Sequence, residues 1–308
     1  MNPRELISPA GIAGAPVGVE PSQGVEHTEA LTIRTIRDMT ARGERFACLT
    51  CYDATTARWL ERAGVHILLV GDTAAEVILG FERTIDMPLE VLLALTAAVK
   101  RGAPKCLVMG DMPFMSYQAD DASALRNAGR FLTEGFADIV KIEADECFAP
   151  LVAKMARAGI PVCGHVGSKP QQVGLTGGYA AAGRTVEEMD RIIRDAVALE
   201  SAGAVMLLVE AVPDEVTRRL LAATKVPLIG IGAGLECHGQ VLVIQDLLGM
   251  TDTPPRFAEA VASMGPMIQR AGAEWVLRVR NGRIGGQRYS MKKGEAEKLR
   301  NRTPPKSE

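Results

Sequence analysis

Five short hydrophobic runs, at residues 65–71, 105–110, 137–142, 161–164 and 204–209, each give way to a polar residue: Asp72, Asp111, Glu143, His165 and Glu210. Continuous apolar runs of this length predict strands buried on both faces. Between them, helical spacing of apolar positions predicts helices over 54–63, 89–101, 122–134, 146–158, 186–202 and 213–223. A helix at 32–42 precedes a first strand at 46–50; a seventh strand is expected at 226–231, an eighth at 241–245 and a last helix at 257–271. Several helices close on small-residue turns, Arg62-Ala63-Gly64, Arg101-Gly102-Ala103, Arg157-Ala158-Gly159 and Ser201-Ala202-Gly203, where glycine supplies a left-handed cap. Strictly alternating strands and helices predict an α/β fold, and eight such units favour a closed (β/α)8 TIM barrel over an open sheet.

This pattern divides the chain into three parts. Residues 1–29 are rich in Gly, Pro and Ala without apolar periodicity, which predicts a disordered N-terminal extension. Residues 30–274 form the barrel. Residues 275–308 are a basic C-terminal extension, expected to be disordered, with ten Lys and Arg from Arg278 onward against three Glu. Its lack of aromatic interleaving beyond Tyr289 favours a solvated tail over a nucleic-acid contact. A formal net charge of −2 gives no drive towards nucleic acid or anionic membrane, so small molecules and copies of the chain itself are the expected partners. No apolar stretch has the length of a membrane span and no leader-like segment opens the chain, so the expected location is cytoplasmic. Cys48, Cys106 and Cys163 fall in apparent core segments and are expected to be reduced; Cys48 and Cys51, three apart on a strand, face opposite sides and suit neither a shared metal nor a redox pair.

The polar strand ends carry the candidate chemistry, because in a barrel of this kind the ends of the strands share one rim. Asp72, Asp111 and Glu143 offer hard oxygen ligands from consecutive strands, a set suited to Mg²⁺ with open positions for water or a chelating substrate. Zinc fits less well, because a single histidine shares the rim; acids capping helix N-termini are the structural alternative. Lys141, two residues before Glu143, shares its face and either pairs with the acids or holds a substrate carboxylate. His165 either donates to a substrate oxygen or caps its strand. Glu210 ends the apolar run Val205-Met206-Leu207-Leu208-Val209, a setting that raises a carboxyl pKa and suits a general base; pairing with an arginine is the alternative. Gly230-Ile231-Gly232-Ala233-Gly234 lacks dinucleotide-binding spacing and reads as a close-approach loop, while the long segment 174–184 reads as a lid.

The strings Val70-Gly71-Asp72-Thr73, Arg101-Gly102-Ala103-Pro104, Asp111-Met112-Pro113-Phe114-Met115, Val140-Lys141-Ile142-Glu143, Pro161-Val162-Cys163-Gly164-His165 and Gly230-Ile231-Gly232-Ala233-Gly234, in this order, resemble the ketopantoate (3-methyl-2-oxobutanoate) hydroxymethyltransferase family. The resemblance runs from about Ile33 to Ala271. It implies a (β/α)8 barrel that moves a one-carbon unit from 5,10-methylenetetrahydrofolate to 3-methyl-2-oxobutanoate, giving 2-dehydropantoate for pantothenate biosynthesis. It also implies a cytoplasmic, Mg²⁺-dependent homo-oligomer, often a decamer. By position, Asp72, Asp111 and Glu143 match the metal-associated acids. Asp72, Thr73, Asp111 and Lys141 match the 2-oxo acid contacts, with His165 nearby, and Glu210 matches the proton acceptor. Thr73 replaces a usual serine, and residues 74–88 and Ala180-Ala181-Ala182 depart from the usual pattern, as does His238, where an Asp is usual. The departures keep a second reading open, a paralogue or a phosphoenolpyruvate-mutase-like carbon–carbon lyase acting on another 2-oxo acid. A third, a non-catalytic metabolite-binding barrel, is opposed by the retained acids and Glu210.

Overall fold

Strand order follows chain order all the way round. The computed structural model describes residues 27–302, apart from Tyr179 and Gln287. In it the parallel strands β1 (Phe46–Thr50), β2 (Ile67–Val70), β3 (Leu107–Asp111), β4 (Ile139–Glu143), β5 (Val162–Gly167), β6 (Met206–Glu210), β7 (Leu228–Ile231) and β8 (Gly239–Leu242) close into a barrel, with β8 pairing β1. Helices are α1 (Ile33–Ala41), α2 (Ala54–Arg62), α3 (Ala74–Val77), α4 (Leu89–Gly102), α5 (Asp121–Thr133), α6 (Ala149–Arg157), α7 (Val173–Thr176), α8 (Val186–Ser201), α9 (Asp214–Ala223), α10 (Ile244–Leu247), α11 (Met264–Arg280) and α12 (Glu295–Arg300). Local chemistry sets their starts: Asp53 Oδ1 accepts from the amides of Thr55 and Thr56 at 2.8 and 2.9 Å, and Thr185 with Glu188 forms a capping box on α8.

Period-two alternation sorts each strand between two cores. Ile67, Leu69, Leu107, Met109, Ile139, Cys163, Met206, Leu208 and Ile229 fill the barrel interior. Their neighbours Leu68, Val70, Val108, Val140, Val162, Leu207 and Leu228 pack outward with the helices. Cys48 lies in the inner cluster and Cys51 in the outer one, on opposite faces as expected, and all six cysteines are free. The N-terminal end of the barrel is closed by α1: Ile36 is fully buried in the interior cluster, with Leu31, Ile33 and Met39 packed against it.

Several expectations shift. The eighth strand begins at Gly239 rather than Val241, because the Phe46 ring lies over that residue and leaves no room for a Cβ; Ile244 then starts α10 instead of continuing a strand. The helix expected at 257–271 runs instead over Met264–Arg280, followed by the short α12, and so carries Pro266 in its first turn, where a missing amide is harmless, instead of in its middle. Among the described residues no helix separates β7 from β8. Gly64, Gly159 and Gly203 have positive φ as expected of caps; Gly102 instead ends α4 helically, against the backbone of Ala54, where any side chain would clash.

Of the N-terminal extension, residues 1–26 lie outside the described residues, as do residues 303–308 of the C-terminal one. His27 packs on the barrel, its carbonyl accepting from Lys105 Nζ at 2.7 Å. The chain after residue 274 continues α11 to Arg280 and then forms α12; neither helix contributes a buried residue. Among the described residues no helix is long and apolar enough to cross a membrane.

Candidate active site

On four strands the inward-facing column turns from apolar to polar within two residues: Met109 to Asp111, Ile139 to Lys141 and Glu143, Cys163 to His165, Leu208 to Glu210. Register then sets neighbours, with Asp111 beside Lys141, Glu143 beside His165 and Gly167 beside Glu210. All five polar strand ends therefore share the C-terminal rim, above the apolar plug, as the sequence pattern requires. Asp72 joins them from just beyond β2, its amide donating to Asp111 Oδ2 at 3.3 Å. Thr73 follows at the start of α3, partly buried, with a backbone already helical.

Lys141 Nζ donates to both oxygens of Asp111, at 2.8 and 2.7 Å, and both side chains are almost fully enclosed. Burial alone would lower the lysine pKa, but Asp111, Asp72 and Glu143 outweigh it and hold the ammonium charged. Burial, reinforced by Asp111 and opposed by Lys141, pushes Asp72 up to about 7. Glu143 is raised well above its ordinary value, by burial first and then by Asp72 and Asp111.

His165 stands between two carboxylates, its Nδ1 3.8 Å from Glu143 Oε1 and its Nε2 3.5 Å from Glu210 Oε2, and among the described residues neither nitrogen has a hydrogen-bond partner. Burial, with Lys141 and Lys169 nearby, holds its pKa well below 6.5, so the ring is neutral. Glu210 is raised to about 7 by burial, against the pull of Lys141 and with help from Asp111. Among the described residues it faces no arginine in an ion pair, and its side chain keeps 22% exposure where those of Glu143 and Asp111 keep 2%.

Two residues of the site carry no signal in the sequence. Gln171 sits in a 3₁₀ turn, Pro170–Gln172, after β5, and its side chain reaches into the rim: Nε2 donates to Asp72 Oδ2 at 2.9 Å and to the Met112 carbonyl at 3.0 Å. Its amide donates to Glu143 Oε2 at 3.0 Å. Tyr117, buried behind it, places its hydroxyl 3.0 Å from Gln171 Oε1 and from the Glu143 carbonyl, and accepts from the Glu143 amide at 3.1 Å.

Four rim carboxylates face a single buried lysine, and that charge excess suits a divalent cation. Among the described residues, no three His, Cys, Asp or Glu side chains converge as a ready-made ligand set. The donors the rim does offer are carboxylate oxygens, which suit a hard cation that keeps most of its waters and takes one or two carboxylates.

The segment read as a lid forms α7 and then a stretch over 177–184 whose Ala182 amide donates to the Ala211 carbonyl at 2.9 Å, next to Glu210. Beneath it lies a cavity of about 440 Å³ between the turn after β5 and α8, with Lys169, Ala181, Arg191 and Asp195 in its walls. The rim acids do not line this cavity; Gly167 and Ser168 separate it from Glu210, whose carbonyl accepts from the Ser168 amide at 2.9 Å. His238 is remote from all of this: its Nδ1 accepts from the Leu228 amide at 3.0 Å, at the closed end of the barrel.

The fold is shared with a phosphonopyruvate hydrolase solved in complex with oxalate and Mg++, at a TM-score of 0.56 and 14% identity over 88% of this chain and 98% of that one. A 2,3-dimethylmalate lyase of the PEP mutase/isocitrate lyase superfamily matches at 0.54 and 17%, with the same coverage. Identities this low establish the barrel and nothing of the chemistry. Sequence relatives are nearer. A 3-methyl-2-oxobutanoate hydroxymethyltransferase of Hyperthermus butylicus is 45% identical over 88% of this chain and 94% of its own length, and one of Rhodococcus jostii is 40% identical over 89% and 94%. The family model for ketopantoate hydroxymethyltransferase matches residues 30–286, so the chain, rim acids and lid included, belongs to the ketopantoate hydroxymethyltransferase family.

Proposed function

We propose that this enzyme transfers a hydroxymethyl group from 5,10-methylenetetrahydrofolate to 3-methyl-2-oxobutanoate, giving 2-dehydropantoate, with Mg²⁺ at the rim. The observation that carries the chemistry is Glu210: a carboxylate with a pKa raised to about 7, partly open, with no cationic side chain bonded to it, across the rim from the sealed Lys141–Asp111 pair. A group so placed takes a proton near neutral pH. When bound, Mg²⁺ polarises the keto oxygen and lowers the pKa of the neighbouring C–H.

Asp72 and Asp111 would hold the cation, with Glu143 behind them. Lys141 holds Asp111 in place and puts a fixed positive charge where the 2-oxo acid carboxylate settles, and Thr73 offers a hydroxyl beside Asp72. Glu210 removes the C3 proton; one water adds to the folate-borne methylene and becomes the product hydroxyl, the freed C3 carbon takes that one-carbon unit as its C–N bonds to the folate break, and tetrahydrofolate leaves carrying the proton. His165, neutral and unpaired at both nitrogens, has a donor free for a substrate oxygen. The cavity on the far side of Gly167 and Ser168 gives the body of the folate donor room outside the rim, with its one-carbon end reaching past those two residues towards the base. The enzyme works in the cytoplasm as a homo-oligomer.

The decisive experiment is Mg²⁺-dependent exchange of the C3 proton of 3-methyl-2-oxobutanoate in deuterated water, with and without donor. Exchange without donor is expected. Its absence in protein shown to bind the acid would sink the assignment.

A further inference from the structure

Gln171 makes more polar contacts inside the rim than any of the acids it serves, and the reaction as proposed gives it nothing to do. We infer that Gln171 is a positioning residue: it fixes the orientation of Asp72 and Glu143 for the cation and fastens the lid segment to them, so that cation binding and lid order are linked. The inference rests on the proposed function only in taking Asp72 and Glu143 as carboxylates that serve the cation.

The geometry is fully specified. An amide side chain has two N–H donors and one acceptor oxygen. One donor takes Asp72 Oδ2, the other takes the Met112 carbonyl just past β3, and the oxygen receives Gln118 Nε2 at 3.0 Å and lies 3.0 Å from the Tyr117 hydroxyl. With these contacts made, the amide has no freedom to flip. Asp72 is thereby held through Oδ2. The Gln171 backbone does the same for Glu143, its amide lying 3.0 Å from Oε2 and 3.3 Å from Oε1. One residue thus ties β2, β3 and β4 together from a turn after β5.

The same residue is where the lid begins. Residue 173 opens α7, and the segment runs on to the Ala182–Ala211 hydrogen bond beside Glu210. The lid is therefore anchored at both ends to groups of the reaction centre: to Asp72 and Glu143 through Gln171, and to the residue after the base through Ala182. Partners that orient ligand side chains typically contribute about 10- to 100-fold to metal affinity. Gln171 is expected to fall in that range, because losing it frees Asp72 to rotate and removes a donor that stabilises its charged form.

The test measures Mg²⁺ binding by calorimetry on the full chain, alongside thermal midpoint and Mg²⁺-dependent protection of residues 173–183 from limited proteolysis. Gln171→Met keeps length and loses every side-chain hydrogen bond. It is expected to weaken Mg²⁺ binding about 10- to 100-fold and to abolish the protection that Mg²⁺ gives the wild-type lid, with the apparent Mg²⁺ requirement for C3 exchange rising by the same factor. Glu187→Gln, on the exposed start of α8 and outside both the rim and the cavity, should leave Mg²⁺ affinity, lid protection and the Mg²⁺ requirement for exchange at wild-type values. Gln118→Ala removes one donor to Gln171 Oε1 without touching a rim acid and should give a smaller loss in the same direction; it decides the matter if Gln171→Met does not fold. Unchanged Mg²⁺ affinity in every variant that folds overturns the inference. Wild-type protein that binds no Mg²⁺ overturns the cation assignment itself, a separate failure.

Discussion

The two sides of the rim solve opposite problems with the same residue types. On the β3–β4 side, Lys141 and Asp111 are closed off from water, doubly hydrogen-bonded and locked in their charges. On the β5–β6 side, His165 and Glu210 sit 3.5 Å apart without a hydrogen bond between them, the imidazole neutral and the carboxyl poised near pH 7. A carboxylate with a bound ammonium is a fixed charge, useful for holding things still. One buried without a cationic partner is a proton carrier. The barrel places one of each within a few strands, a division that suits the proposed reaction, in which one rim must both bind an anion and move a proton.

The largest effect should come from breaking the mobile side. Glu210→Gln is expected to lower C3 exchange by about 10²- to 10⁴-fold while Mg²⁺ affinity stays at the wild-type level; Asp111→Asn should weaken Mg²⁺ binding itself. Equal loss of metal in both variants would erase the proposed division. On the fixed side, Lys141→Met leaves Asp111 buried without its counter-charge, which should cost about 3–5 kcal/mol of stability, read from denaturant midpoints. A mild effect there would mean that water reaches the pair.

Acidity offers a subtler comparison. Exchange should rise with pH and level off above about 7, as Glu210 loses its proton. Stability of the metal-free protein should move the other way. Glu210 and Asp72 have folded pKa values of about 7 against ordinary values of 4.5 and 3.8, so the folded state binds more protons between those limits. Their contribution is fully present below about pH 4 and is lost as pH rises through 7. Glu210→Gln should flatten that slope, and an unchanged slope would show that the carboxyl is not perturbed. The smallest effect is expected at Ala211, which follows Glu210 with φ 49°. Ala211→Gly relieves a left-handed alanine but loosens the unfolded chain, for a net gain under about 1 kcal/mol; a loss would mean that the methyl packs usefully under the lid.

Much of this was legible from residue spacing. A period of two puts Lys141 and Glu143 on one face, and Cys48 and Cys51 on two, whatever the details of packing. The five polar strand ends converge because parallel strands in a barrel all end at one rim. What was not legible depended on contacts between distant segments. Gly239 and Gln240 are poor strand formers, and only the Phe46 ring lying over Gly239 shows why the eighth strand starts there. Pro266 argued against a helix centred on residue 264, but the apolar spacing from Phe257 onward masked it. Gln171 and Gln172 are the same residue side by side; which one enters the rim is set by the turn that Pro170 starts. The charge state of His165 was equally hidden, since it depends on burial and on lysines from β4 and from the turn after β5.

The helix that seals the floor of the barrel has a kinetic consequence. With Ile36 and its neighbours filling the N-terminal end, the rim acids are approached from the C-terminal side, where the lid segment lies. In the proposed reaction the smaller reactant would sit deepest, against the acids, and the larger one would follow it in and leave ahead of it. Turnover is therefore a last-in, first-out queue: the folate product should inhibit as a competitor of its own donor, and the oxo acid should add first.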